Sequence, residues 1–150
     1  MSRGPQTISK TVLSRTDNLS EVRNFVMRLA RQAGFAEDEV SNIVLAVDEA
    51  CTNIIKHAYQ FAADREIRVS VARTPTAFEV VIQDDGKSFD PSTLRLPDLK
   101  EHLTHYRRGG LGVYLMKKLM DTVEYTYKPG TKNQVRLVKQ LPMNTAAARR

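Results

Sequence analysis

Apolar residues recur along this chain with two periods, and the switches between them outline the fold. Gln6 to Leu13 alternates imperfectly through Ile8 and Val12, which predicts a first strand at a sheet edge. From about Asn18 to Gln32, Leu19, Val22, Phe25, Val26, Leu29 and Ala30 fall at three- and four-residue spacing. That is the stripe of an amphipathic helix, and Gly34 stops it. The same spacing through Ile43, Val44, Val47, Ala50, Ile54, Ile55 and Ala58 predicts a second, longer helix from Glu37 to Tyr59. Alternation returns at Glu66 to Ala72 and at Phe78 to Ile82, on either side of a Thr74-Pro75-Thr76 turn, so these two strands pair as a hairpin. Asp84 to Arg108 is polar, carries Pro91 and Pro97, and is too long for an ordinary connection; loops of this kind are often lids. Gly112 to Leu119 reads as a helix whose apolar face is Val113, Leu115, Met116 and Leu119, with Met120 following. Val123 to Tyr127 and Gln134 to Lys139 close the sheet as a hairpin around Lys128-Pro129-Gly130. The order predicts an α+β domain over residues 1–143, with 144–150 as a disordered basic tail.

Composition narrows the class. At 150 residues, 41% hydrophobic and 27% charged, the chain suits one globular domain with an ordinary core. No stretch approaches the ~18 apolar residues of a membrane span. Met1 to Pro5 has no apolar run of a signal peptide, so a cytoplasmic protein is expected. One cysteine, Cys51, excludes an internal disulfide and suits a helix core position. The net charge of +6 favours an anionic partner: a nucleotide, an acidic protein or nucleic acid. The basic residues are scattered in pairs, and no aromatic-interleaved basic block is present, so direct nucleic-acid binding has no support.

Candidate chemistry begins inside the second helix, where Glu49, Asn53 and His57 follow at i, i+4 and i+8. Each four-residue step turns a helix by roughly 400°, so the three side chains share one stripe. A carboxamide oxygen can ligate Mg²⁺, and a carboxylate one turn away can accept a proton. A plain solvated helix face fits the same spacing. Asp84-Asp85-Gly86 then ends a strand: Gly86 lets the backbone approach a ligand closely, and Asp84 can accept a hydrogen bond from an exocyclic amine. An ordinary Asp-Gly turn is the alternative. Arg107-Arg108-Gly109-Gly110-Leu111-Gly112 runs into a helix, and free N–H groups at a helix N-terminus bind phosphate. It lacks the ending of a P-loop, and a flexible loop feeding a helix would look alike.

Taken in order, the acid-amide helix, the strand ending in Asp-x-Gly, the lid and the Gly-x-Gly helix resemble the GHKL ATP-binding fold of histidine kinases, Hsp90, gyrase and MutL-type proteins. Glu49-Ala50-Cys51-Thr52-Asn53, Asp84-x-Gly86-x-Ser88-Phe89-Asp90, Gly109-Gly110-Leu111-Gly112-Val113-Tyr114-Leu115-Met116 and Gly130-Thr131-Lys132-Asn133 are similar to the RsbW-type anti-sigma factor serine/threonine kinases. The resemblance implies a two-layer α/β sandwich, with a mixed, mostly antiparallel sheet covered on one face by helices. It implies ATP and Mg²⁺ as cofactors, with Asn53 on the metal and Glu49 as general base. Asp84 would read adenine, Gly86 lie under the base, and Gly109, Gly110, Leu111 and Gly112 wrap the phosphates. Arg108 or Arg107 would face the γ-phosphate or the partner, and Thr131 would lie on the adenine side. Ser88 stands where the general pattern has a second glycine. His57 would orient the lid or touch phosphate, or else be a satisfied, partly buried histidine.

The implied activity is phosphoryl transfer to a serine or threonine of a STAS-domain anti-sigma factor antagonist. The implied partners are that antagonist, a sigma factor and a second copy of the chain in a homodimer. A kinase of a STAS scaffold that binds no sigma factor, and a nucleotide-dependent switch without transfer, stay open as alternatives.

Overall fold

The computed structural model describes residues 6–88, 109–127 and 132–142, with backbone alone for 109–113. Five strands, β1 (Gln6–Leu13), β2 (Glu66–Arg73), β3 (Ala77–Asp84), β4 (Thr122–Thr126) and β5 (Asn133–Gln140), form one sheet in the order β1-β2-β3-β5-β4. Every described pairing is antiparallel, so the sheet is more uniform than the mixed one expected. β1 is an edge strand, as its weak alternation predicts. Among the described residues three α-helices accompany the sheet: α1 (Leu19–Gln32), α2 (Glu37–Asn53) and α3 (Gly109–Leu119). Tertiary contacts place α2 between α1 and α3.

Alternation decides which face of the sheet is buried. Ile67, Val69 and Val71 of β2, Phe78, Val80 and Ile82 of β3, and Val135 and Leu137 of β5 are all buried with the helix residues in one core. Their register partners (Val69 with Ile82, Val71 with Val80, Val80 with Leu137) put them on the same face. The opposite face carries Glu79, Arg136 and Glu124 across three adjacent strands, with Arg136 bonded to both acids. On the helix layer, Val22, Val26, Ile43 and Val47 are fully buried. Arg23 and Asp48 join α1 to α2 at 2.7 Å on the rim of that contact. Cys51, Met116 and Met120 are buried core residues, and burial beside Asp48 pushes the Cys51 thiol up to about 12.

Two boundaries differ from the sequence reading in ways that reach the site. The expected helix from Glu37 to Tyr59 is α-helical only to Asn53; Ile54–Ala58 is a π turn. A π turn bonds i to i+5, so four residues no longer complete a turn. Glu49 and Asn53 keep their one-turn relation inside α2, whereas His57 lies in the wider turn and off the expected stripe. Second, α3 begins at Gly109 and not at Gly112. Glycine is a poor helix former, so the apolar pattern alone delays the start; the residues Gly109, Gly110, Leu111 and Gly112 are themselves the first turn. The N–H groups of a first turn are the ones without intrahelical partners, so the expected phosphate contacts shift from a preceding loop to the helix end itself.

Candidate functional site

Asp84 is the last residue of β3 and continues the inward alternation of Val80 and Ile82. Alternation therefore carries a carboxylate onto the apolar face, where it is buried at 5% exposure. Burial alone would make this costly. Two donors offset it at one oxygen: Gly86 N–H at 2.8 Å and Asn133 Nδ2 at 2.9 Å, both to Oδ1. Among the described residues no hydrogen bond reaches Oδ2, which is left as an acceptor. Burial raises the Asp84 pKa above the ordinary carboxylate range, and the bonds from Asn133 and Gly86 act in the opposite direction.

Asn133 is the register partner of Asp84 across the β3–β5 ladder. Its Nδ2 also donates to Gly86 O at 3.1 Å, and its Oδ1 accepts from Ser88 Oγ at 2.7 Å. One carboxamide thus ties together three predicted residues, Asp84, Gly86 and Ser88. Gly86 is required sterically: a Cβ there would stand 2.6 Å from both Ala58 O and Tyr59 Cδ1. The loop after β3 lies directly against the end of the π turn, and Lys87 N–H donates to Ala58 O at 2.8 Å.

Beside Asp84 lies a narrow cleft that is partly open to solvent. Ala50, Asn53 and Ile54 form one wall, and Ile82, Asp84, Asn133 and Val135 form the floor. The edge strand β4 adds Tyr125 and Thr126, followed by Tyr127. A slot with apolar walls and one buried carboxylate oxygen suits a flat heterocycle bearing an amine. Asn53 is 4% exposed, and its Nδ2 has no hydrogen-bond partner among the described residues. A buried amide with an idle donor is costly, and a polar ligand would satisfy it.

Glu49 is half-buried one turn before Asn53, and neither Glu49 nor His57 lines the cleft. Burial, and then Lys56, lower the His57 pKa. Arg107, Arg108 and Thr131 lie outside the described residues, as does most of the expected lid. Among the described residues no group of three His, Cys, Asp or Glu could hold a metal ion. The Asn53 carboxamide oxygen is a donor of the kind that Mg²⁺ takes.

Sequence reasoning placed Asn133 in a motif without giving it a role, and gave none to Tyr59, Tyr125 or Tyr127. The bond from Asn133 to Asp84 follows from the strand register, since the two are 49 residues apart in sequence. No described helix is long and apolar enough to cross a membrane.

Residues 12–139 match the family described as the histidine kinase-like ATPase domain. The chain is 33% identical over 124 residues to the serine-protein kinase RsbW of Halalkalibacterium halodurans, covering 80% of this chain and 75% of that protein. It is 30% identical over 129 residues to the serine-protein kinase RsbW of Bacillus cereus, covering 83% and 80% of the two chains.

Proposed function

Because the chain belongs to the histidine kinase-like ATPase family and, within it, to the RsbW-type serine-protein kinases, we propose that it transfers a phosphoryl group from Mg·ATP to a serine or threonine of a STAS-domain anti-sigma factor antagonist, and that it also holds a sigma factor. The observation that carries the nucleotide half of this reading is the buried carboxylate of Asp84, saturated at Oδ1 and open at Oδ2 beside an apolar slot. Oδ2 accepts the exocyclic amine of adenine; Ile54, Ile82 and Val135 cover the ring faces. Guanine presents a carbonyl at that position and would be repelled.

The donor set fits the cofactors. Asn53 offers a carboxamide oxygen, suited to a hard cation, at the wall of the cleft. The first turn of α3 offers backbone N–H groups to phosphate oxygens. Asn53 would hold Mg²⁺ beside the phosphates, and the ion would supply positive charge against the charge that develops in transfer. Glu49, one turn from Asn53, takes the proton of the acceptor hydroxyl as that oxygen bonds to the γ-phosphorus and the bond to the departing ADP breaks. Arg108 or Arg107 supplies further positive charge. The protein acts as a homodimer in the cytoplasm.

Calorimetric titration with ATP in the presence and absence of Mg²⁺ tests the site. Asn53→Ala is expected to abolish the Mg²⁺-dependent part of the affinity. Unchanged affinity would remove Asn53 from the site. Capture of a sigma factor by the purified protein distinguishes an anti-sigma kinase from one that only phosphorylates a scaffold.

A further inference from the structure

Tyr59 follows the π turn and is buried at 4% exposure, yet the adenine reading gives it no part. Its hydroxyl oxygen accepts Asp85 N–H at 3.0 Å. Its proton lies between Glu66 O and Asp85 Oδ1. Its ring edge is what a Cβ at Gly86 would strike. Arg65 closes the other side: it stacks over the Tyr59 ring with the guanidinium 4.9 Å from the centroid, and it pairs with Asp85 Oδ1 at 3.0 Å. The start of β2, the end of the π turn and the loop leaving β3 therefore meet at one phenol.

A second observation points the same way. Gln60 and Phe61, directly after Tyr59, both have positive φ, 50° and 69°, and neither is glycine. Non-glycine residues in this region are strained, and such strain persists where the surroundings over-determine it. Here the over-determination is a chain reversal that brings Phe61 N–H to Ile55 O at 2.8 Å and leaves Tyr59 beneath Gly86.

We propose that Tyr59, locked by Asp85 and Arg65, is a positioning residue for base recognition: it fixes the backbone path of Asp84-Asp85-Gly86 and so aims Asp84 Oδ2 into the cleft. Tyr59 touches no ligand itself; it acts through the Asp85 amide and the Gly86 Cα. The inference rests on the adenine reading above. It adds that discrimination at the base depends on a phenol outside the cleft.

The test is titration of the full chain with ATP and with purine riboside triphosphate, which lacks the exocyclic amine. Wild type is expected to prefer ATP. Tyr59→Phe keeps the ring and removes the hydroxyl, and should shrink that preference about tenfold, the scale of a hydrogen bond to a charged group, while leaving affinity for the amine-free analogue little changed. Asp85→Ala, at an exposed side chain, should do the same, and it decides the question if Tyr59→Phe does not fold. A merely structural role would weaken both ligands together and preserve their ratio; a preserved ratio in the folded variants overturns the proposal. If wild type itself does not prefer ATP, the adenine reading falls and the inference falls with it.

Discussion

Asn133 Nδ2 stands 2.9 Å from Asp84 Oδ1, between two residues that are direct partners in the β3–β5 ladder. Backbone register places the amide, and the amide then orients the carboxylate. Removing it leaves a buried carboxylate oxygen short of a donor, which costs about 1.5–3 kcal/mol for a charged group. Asn133→Ala is therefore expected to weaken ATP binding by roughly tenfold. Asn133→Asp, which sets a second negative charge against Asp84, should abolish binding. Equilibrium titration of both variants checks this; wild-type affinity in Asn133→Ala would detach the amide from recognition.

Gly86→Ala tests the close approach of the loop to the π turn. The added Cβ would meet a backbone carbonyl oxygen at 2.6 Å, which cannot give as a side-chain tip would. The loop must move, at a cost of about 1–3 kcal/mol for overpacking. Thermal unfolding should shift down and ATP affinity should be lost. A variant with wild-type melting and binding would show that the contact is not needed.

Asp84 gives the site a pH signature. Burial raises its pKa in the folded protein. As pH falls through that raised value the carboxyl becomes neutral and Oδ2 ceases to be an anionic acceptor, so ATP affinity should weaken at a higher pH than an ordinary carboxylate would cause. Stability of the unliganded protein moves the other way. Between the unfolded and the raised folded pKa the native state binds more protons than the unfolded state, so the contribution of Asp84 to stability falls as pH rises through that window. Comparing wild type with Asp84→Asn isolates both effects: the variant should lose the pH dependence of binding and gain stability relative to wild type on the alkaline side. Parallel pH profiles for the two proteins would contradict the assignment.

The layers of the fold were legible because burial on one face leaves a period in the sequence. Ile67, Val69 and Val71, or Val22, Phe25, Val26 and Leu29, report their own elements directly. Asn53 was legible through its spacing one turn from Glu49 on a polar stripe, and Asp84 as a strand-ending acid two residues before Gly86; the structure brings both to one cleft. The π turn was not legible. Ile54 to Ala58 continues an α-helical apolar spacing, while Ala58 and Tyr59 pack against the Gly86 loop, some 28 residues on by sequence count. The contacts of Asn133 and of the Tyr59–Asp85–Arg65 cluster were silent for a related reason: their partners are set by sheet register and chain reversal, not by neighbours in sequence. The start of α3 was missed because glycine propensity argues against a helix that packing on α2 supplies.

The central claim is that this cleft holds the phosphoryl donor for a protein hydroxyl. Incubation with γ-labelled ATP, Mg²⁺ and STAS-domain partners, run for wild type and Glu49→Gln side by side, tests it most directly. Stable label on a serine or threonine of one partner is predicted, with transfer slowed at least ~100-fold in Glu49→Gln, the scale of a positioned general base, and ATP affinity retained. ATP bound with no label on any partner, or equal rates in the two proteins, would contradict it.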